Sequence, residues 1–290
     1  MSEIFYAKPI INDEIEKLKS RVLNLPQKPL LKVILVGNNP SSLIYVNNKL
    51  NFCKKINADC EIIKVDEKIS KDSFIELVRE IAQDKKVSGL LVQLPVPEQL
   101  KDIEYTSLIP PEKDVDGFTQ KNIFSLYNEK ARKNTVSLIP CTPAGIVKMA
   151  NFYNISFAGK NVVIIGRSLI VGKPLALLLS NLDATVTLCH SRTKDLKKIT
   201  KNADIIISAM GQPYLINSSY ISEAGNQIIF DVGISRYKDK IVGDVNFEEV
   251  KDKVKAITPV PGGIGPMTIL SLANNLVSAA EHQQNLEKGK

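Results

Sequence analysis

Continuously apolar runs, each about the length of a β-strand, alternate along this chain with segments whose apolar residues recur at helical spacing. The runs are LLKVILVG (30–37), CEIIKV (60–65), VSGLLVQL (87–94), NVVIIG (161–166), ATVTLC (184–189), ADIIISAM (203–210) and NQIIFDVG (226–233). Ile44, Leu50 and Cys53 mark one helical stripe between them. Phe74, Leu77, Val78 and Ile81 mark a second, and Leu175, Leu178 and Leu179 a third. Strands that alternate with helices assemble into parallel sheets. A strand that is apolar throughout is covered on both faces. The pattern predicts an α/β fold with largely parallel sheets.

The rhythm breaks between 95 and 143, where Pro95, Pro97, Pro110, Pro111, Pro140 and Pro143 and the charged loop PEKDVDGF replace it. A chain of 290 residues suits two domains better than one small core. The break therefore predicts a boundary near 137–145, with an α/β domain over 1–140 and a second domain over 141–265. GPMTILSLANNLVSAAEHQQ reads as a closing helix over 266–283, with Pro266 in its first turn after Gly265. Residues 284–290 read as a frayed tail.

No apolar run reaches the roughly 18–20 residues that span a bilayer, and the N-terminus shows no basic region leading into an apolar core. The expectation is a soluble, cytoplasmic protein without a membrane partner. The four cysteines form no C-x-x-C pair and only two histidines are present, which argues against a zinc site or a disulfide framework. The formal charge of +7 is dispersed, as on a solvated surface or one that attracts a small anion. There is no Trp and no basic stretch interleaved with aromatics, so nucleic acid is not an expected partner.

The stretch VVIIGRSLIVGKP (162–174) is a strand, a glycine and then the start of a helix. That order sets backbone N–H groups and a helix N-terminus at the strand's carboxyl end, where phosphate is attracted. The spacing is not G-x-G-x-x-G, and taken alone the stretch is equally a tight βαβ crossover. The next strand sharpens the reading. Its tip is His190, Ser191 and Arg192, with none of the carboxylates that hold ribose hydroxyls in NAD sites. A basic, hydroxyl-bearing tip suits a 2′-phosphate, and Arg167 adds a second guanidinium. NADP is therefore expected over NAD; an exposed polar turn is the alternative. Ser208, Ala209, Gly211 and Gly233 end two further strands at the same edge, where small residues leave room for a flat cofactor.

In SSLIYVNNKLNFCKK (41–55), a helix puts Tyr45 and Lys49 one turn apart on the same face, shared with Ser42. Most lysines only solvate a surface. This one has Leu43, Ile44, Val46 and Leu50 as neighbours, and a lysine in partly apolar surroundings can act on a proton or a water. Gln93 ends an apolar strand just before Pro95 and reads as a placed amide or as a plain polar strand end. Asp114 and Asp116 precede Gly117; one carboxylate there can face a ring edge with two N–H donors, or close an Asx-type turn. TPVPGGIGPMT (258–268) is either a connector or the lining of a narrow ligand slot.

Taken together and in order, YVNNK, LLVQLPVP, PEKDVDGF, PCTPAGI, GRSLIVGKP, DVGI, VGDV and PVPGGIGPMT resemble the bifunctional methylenetetrahydrofolate dehydrogenase/methenyltetrahydrofolate cyclohydrolase family, from about residue 4 to 280. The resemblance implies an N-terminal catalytic domain completed by the C-terminal helix, a Rossmann domain binding NADP, and a cleft between them. It implies oxidation of 5,10-methylenetetrahydrofolate by NADP⁺ and hydrolysis of the methenyl product to 10-formyltetrahydrofolate; the same fold with one activity is the alternative. It assigns Lys49, Gln93 and Tyr45 to catalysis. Tyr45, Gln93, Asp116, Pro261, Gly262 and Gly265 are assigned to the folate, and Gly166, Arg167, Ser168, Gly172, Ser191, Arg192 and Ile234 to the cofactor. It implies no metal, a homodimer, and folate substrates that can carry polyglutamate.

Overall fold

The computed structural model describes residues 2–127 and 137–288; Met1 and residues 128–136 of the expected first domain, with 289–290, lie outside the described residues. The chain packs as two units. One comprises Asn12–Cys141 with the segment from Ile269 onward; the other comprises the segment up to Ile11 with Thr142–Thr268.

The first unit is built on a three-stranded parallel sheet. Strand β2 (Leu30–Val36) lies at its centre, flanked by β3 (Asp59–Val65) and β4 (Gly89–Val92). β4 lies on the other side of β2 from β3, so the strand order reverses beside β2. In α/β sheets, ligands bind at the carboxyl ends of strands where the order reverses. Helix α3 (Lys71–Gln83) starts at Ser70, whose hydroxyl accepts from Ser73 N–H at 3.2 Å. It buries Phe74, Val78 and Ile81 against Ile34, Leu90 and Val92. Each such side chain contributes about 1.5–3 kcal/mol.

The C-terminal helix α9 (Ile264–Lys288) runs past the expected end at 283. Three side-chain ties extend it. The Arg21 guanidinium, on helix α1 (Ala7–Leu23), bridges Glu281 at 2.9 and 2.7 Å. Gln283 donates to the carbonyls of Ser88 and Glu112, and Gln284 to that of Gln27. Glu281 and Gln283 fall within the expected helix; Gln284, expected in the frayed tail, is a bonding group.

The second unit holds a six-stranded sheet, parallel throughout, in the order β1 (Glu3–Ile4), β11 (Ala256–Ile257), β8 (Ile228–Asp231), β7 (Ile205–Ser208), β5 (Asn161–Ile165), β6 (Thr185–Cys189). The first domain was expected to include everything from residue 1. Instead β1 pairs with β11, and Phe5 is buried with its ring stacked on Tyr153 at 4.3 Å, so the segment up to Ile11 packs with the six-stranded sheet. The chain order reverses at β5, which has β6 on one side and β7 on the other. An antiparallel hairpin, β9 (Ser235–Tyr237) and β10 (Lys240–Val242), turns through Lys238 and Asp239, both at positive φ.

Candidate functional site

Helix α2 (Pro40–Lys55) follows β2 and carries Lys49. Its buried face is Ser42, Val46, Phe52 and Cys53. Ile44, expected on the apolar stripe, is 63% exposed and Tyr45 is 40% exposed, while Ser42 is buried, so Ser42 and Tyr45 do not share one environment. Lys49 is half-buried. Its stem borders a small apolar void with Leu31, Phe52, Leu272 and Leu276, so the C-terminal helix forms part of its surroundings. The Lys49 Nζ donates to Gln93 Oε1 at 2.8 Å. Gln93 follows β4 and is itself held: its N–H donates to Ile34 O at 2.9 Å and its Nε2 to Leu94 O at 2.8 Å. A central strand and its neighbour thus present an amide oxygen to a lysine 44 residues away in sequence.

The loop PEKDVDGF divides its charges by task. Lys113 is buried and donates to the carbonyls of Ala82 and Asp84 at 2.8 and 2.7 Å, closing the C-terminus of α3. Asp114 is buried and accepts from Gly117 N–H, Thr119 N–H and Asn122 Nδ2 at 3.0, 2.6 and 2.9 Å. It knots the loop, which is the Asx-type role. Gly117 stands at φ +78°, and a Cβ there would lie 2.6 Å from Leu138 O. Leu90 N–H donates to Lys113 O at 2.8 Å, so the loop runs alongside β4. Asp116 is the carboxyl not taken up by this knot. Burial raises its pKa, the Lys49 charge opposes that rise, and Asp114 adds to it.

Sequence reasoning missed two groups that steady this carboxyl. Asn275, on α9, donates to Val115 O at 2.9 Å and Ile139 O at 2.8 Å. The buried Cys141 thiol donates to Val115 O at 3.2 Å. A polar residue within an apolar helical stretch was the available signal for Asn275.

In the six-stranded unit, Gly166 ends β5 at φ +123°, and a Cβ there would sit 2.4 Å from Ala209 O. The chain therefore passes against the end of β7 at the point where the strand order reverses. Ser168 Oγ accepts from Val171 and Gly172 N–H at 3.1 and 3.4 Å, bracing the turn that leads into helix α6 (Gly172–Ser180). Gly172 is buried, and a Cβ on it would lie 1.8 Å from Gly166 O, so this glycine serves helix–strand packing. Arg167, Ser191, Arg192 and Ile234 are exposed. His190 accepts the Arg192 N–H on its ring Nδ1 at 3.1 Å, and His190 N–H donates to Thr193 Oγ1 at 2.9 Å, which shapes the basic tip. Two guanidinium groups, hydroxyls, a helix N-terminus and no carboxylate over 190–194 form a set that fits a phosphorylated dinucleotide. Pro261, Gly262 and Gly265 belong to this unit; a Cβ at Gly265 would come within 3.2 Å of Ile234 Cδ1. Among the described residues no group of His, Cys, Asp and Glu is placed to hold a metal ion, and no helix is long and apolar enough to cross a membrane.

Two carboxyls in the motifs DVGI and VGDV went unread. Gly233 was expected to admit a cofactor; the space beside it is occupied by Asp244, whose Oδ1 would lie 2.0 Å from a Cβ there. Asp231 is 3% exposed and Asp244 is fully buried. Burial pushes the Asp231 carboxyl up to about 7, and the Asp244 charge adds to the push against the backbone N–H groups that pull it down. Between about 4, its ordinary value, and about 7 the folded chain keeps this proton and the unfolded chain does not. Its contribution, up to about 4 kcal/mol, is present at low pH and is lost as pH rises through 7. The melting temperature should therefore fall more steeply from pH 5 to pH 8 in the wild type than in Asp231→Asn; equal slopes would refute this.

The comparisons with known proteins cover both units. Residues 6–116 match the family model described as the tetrahydrofolate dehydrogenase/cyclohydrolase catalytic domain, and residues 140–284 match its NAD(P)-binding domain. The bifunctional protein FolD of Aquifex aeolicus (strain VF5) is 44% identical over 283 residues, covering 96% of this chain and 95% of that protein. The crystal structure of the bifunctional FolD methylenetetrahydrofolate dehydrogenase/cyclohydrolase from Campylobacter jejuni matches with TM-score 0.91 and 40% identity, over 97% of this chain and 99% of that one. The Trypanosoma brucei enzyme, solved with NADP cofactor and an inhibitor, matches with TM-score 0.90 and 28% identity over 97% of each chain.

Proposed function

The chain belongs to the tetrahydrofolate dehydrogenase/cyclohydrolase family, and on that premise we propose that Lys49, Gln93 and Asp116 handle a reduced folate while the edge of the six-stranded sheet holds NADP⁺. The protein is a bifunctional enzyme. It oxidises 5,10-methylenetetrahydrofolate to the 5,10-methenyl compound with NADP⁺, and it hydrolyses that product to 10-formyltetrahydrofolate. The observation that carries the residue assignments is the 2.8 Å bond from Lys49 to Gln93, with Asp116 within the field of the same lysine.

NADP⁺, when bound, accepts hydride from the methylene carbon. The chain's own work is to orient and to manage one proton. The methenyl carbon is an electron-poor amidinium-type centre, so it needs a placed water and no metal. Gln93 fixes the direction of the Lys49 Nζ, and that nitrogen holds the water and relays the proton it releases on attack. The C–O bond forms, the ring C–N bond breaks, and one proton leaves. Tyr45, one turn before Lys49, borders the folate ring. Asp116 accepts two N–H groups of the pterin edge. Pro261, Gly262 and Gly265 are folate contacts by the resemblance.

On the cofactor side, Gly166 and the turn braced by Ser168 set the phosphate loop. Arg167, Ser191 and Arg192 take the 2′-phosphate, and Ile234 lines the ring. The reading places the enzyme in the cytoplasm as a homodimer that accepts polyglutamated folates. Exposed Tyr214, Tyr237 and Ile241 around the β9–β10 hairpin support a paired surface.

Asp116→Asn tests the folate assignment. It swaps an acceptor oxygen for an NH₂ that opposes the pterin donor, so the folate KM should rise at least about tenfold. NADP⁺ binding should change less than about twofold. An unchanged folate KM would remove Asp116 from the site.

A further inference from the structure

We infer that Asp244 and Asp231 are positioning residues for the cofactor edge, a pair of buried carboxyls that hold the ends of β7 and β8 in the shape NADP⁺ requires. The inference rests on the reading that this edge binds the dinucleotide. Asp244 accepts from Ser208 Oγ at 2.9 Å and Met210 N–H at 2.6 Å on one oxygen, and from Gln212 N–H at 2.7 Å on the other. It therefore fixes the segment 208–212. Within that segment Ala209 N–H donates to Ile165 O at 2.8 Å, and the Ala209 carbonyl lies against Gly166, the turn of the phosphate loop.

Asp231 performs the matching task on the other side. Its Oδ1 accepts from Gly233 N–H at 3.1 Å and Asp244 N–H at 3.0 Å, and its Oδ2 accepts from Val245 N–H at 2.9 Å. It holds both the backbone of Asp244 and the turn that leads into Ile234. The two glycines exist for this clamp. A Cβ at Gly233 would strike Asp244 Oδ1 at 2.0 Å, and a Cβ at Gly243 would strike Asp231 Oδ2 at 1.9 Å.

An apolar sheet core would dispense with two buried carboxyls, which are costly to desolvate. Here their acceptor oxygens collect the backbone N–H groups of Met210, Gln212, Gly233, Asp244 and Val245, all of which lie outside the named strands. That fits a rigid edge better than added stability. Both carboxyls are buried, and both lie outside the unit that carries Lys49. Their loss should consequently separate the two activities.

The test uses the full chain and three variants. NADP⁺ binding is read directly by calorimetry, and hydrolysis of supplied 5,10-methenyltetrahydrofolate is read on the same preparations. Asp244→Asn should weaken NADP⁺ binding at least tenfold while hydrolysis stays within about twofold of wild type. Gly233→Ala should reproduce that split, because its methyl group displaces the Asp244 carboxylate without deleting it. Ser208→Ala, which removes one bond of the clamp, should weaken binding about threefold. If Asp244→Asn does not fold, the other two variants carry the test. Variants that hydrolyse normally and bind NADP⁺ within twofold of wild type would overturn the inference. So would equal loss of hydrolysis and binding in a variant that still melts cooperatively. Wild-type protein that binds NADP⁺ yet turns over no folate would overturn the reading of the folate site and leave the result for the pair legible.

Discussion

Lys49→Ala is expected to lower the rate of 5,10-methenyltetrahydrofolate hydrolysis at least about 100-fold, the usual scale for removing a group that handles a proton in the transition state. The variant should fold. Alanine is the best helix former, and Lys49 lies within helix α2. The freed Gln93 is half-buried and can reach water, so no deeply buried acceptor is stranded. NADP⁺ binding, which depends on the other unit, should be unchanged by calorimetry. Gln93→Ala should show a smaller loss of the same kind, because Lys49 then keeps its amine in place and loses the partner that directs it. Normal hydrolysis in Lys49→Ala would remove the lysine from the mechanism.

Gly166→Ala is expected to lower kcat/KM for NADP⁺ at least about 100-fold while hydrolysis of supplied methenyl substrate persists. Two independent costs act there. An alanine at φ +123° is held where L side chains rarely go, and its methyl group would sit 2.4 Å from the Ala209 carbonyl oxygen. The obstacle is backbone, which cannot swing aside as a side chain can. Relief requires moving the turn at Gly166 away from the end of β7, and that is the edge proposed for the cofactor. Steady-state kinetics with varied NADP⁺, beside the hydrolysis assay, reads the split. NADP⁺ kinetics within about threefold of wild type would show that the loop tolerates the shift and that Gly166 does not shape the site.

The sequence displayed the sheets because their strands are apolar at nearly every position. Phe74, Val78 and Ile81 likewise announced the buried face of α3 through their spacing. Strands β1 and β11 escaped notice because two residues carry no periodicity, and their pairing moves the N-terminal segment into the second unit. On α2 the stripe of Ile44, Leu50 and Cys53 holds at Cys53, which is buried, and fails at Ile44, which is exposed. An amphipathic pattern gives a face only approximately, and Val46, Phe52 and Cys53 are the residues that turn inward.

The candidate site was legible to the extent that unusual residue types stood in unusual places. Lys49 among apolar neighbours and Gln93 at the end of an apolar strand are of this kind, and they meet at 2.8 Å. Asp114 and Asp116 looked alike in sequence; only the donors that converge on Asp114 tell them apart. Asp231 and Asp244 were hidden for a related reason. Their partners are backbone N–H groups, which leave no mark in a sequence. Gly172 and Gly233 were visible as glycines, but the neighbour that each makes room for was not.

One chain performs both steps. The direct measurement supplies purified protein with 5,10-methylenetetrahydrofolate and NADP⁺, and follows reduced cofactor and the methenyl compound separately. Steady formation of NADPH, with the methenyl compound held below the level that uncatalysed hydrolysis would leave, is the expected result. NADPH formation matched by an equal accumulation of methenyl compound, or no NADPH at all, would contradict it.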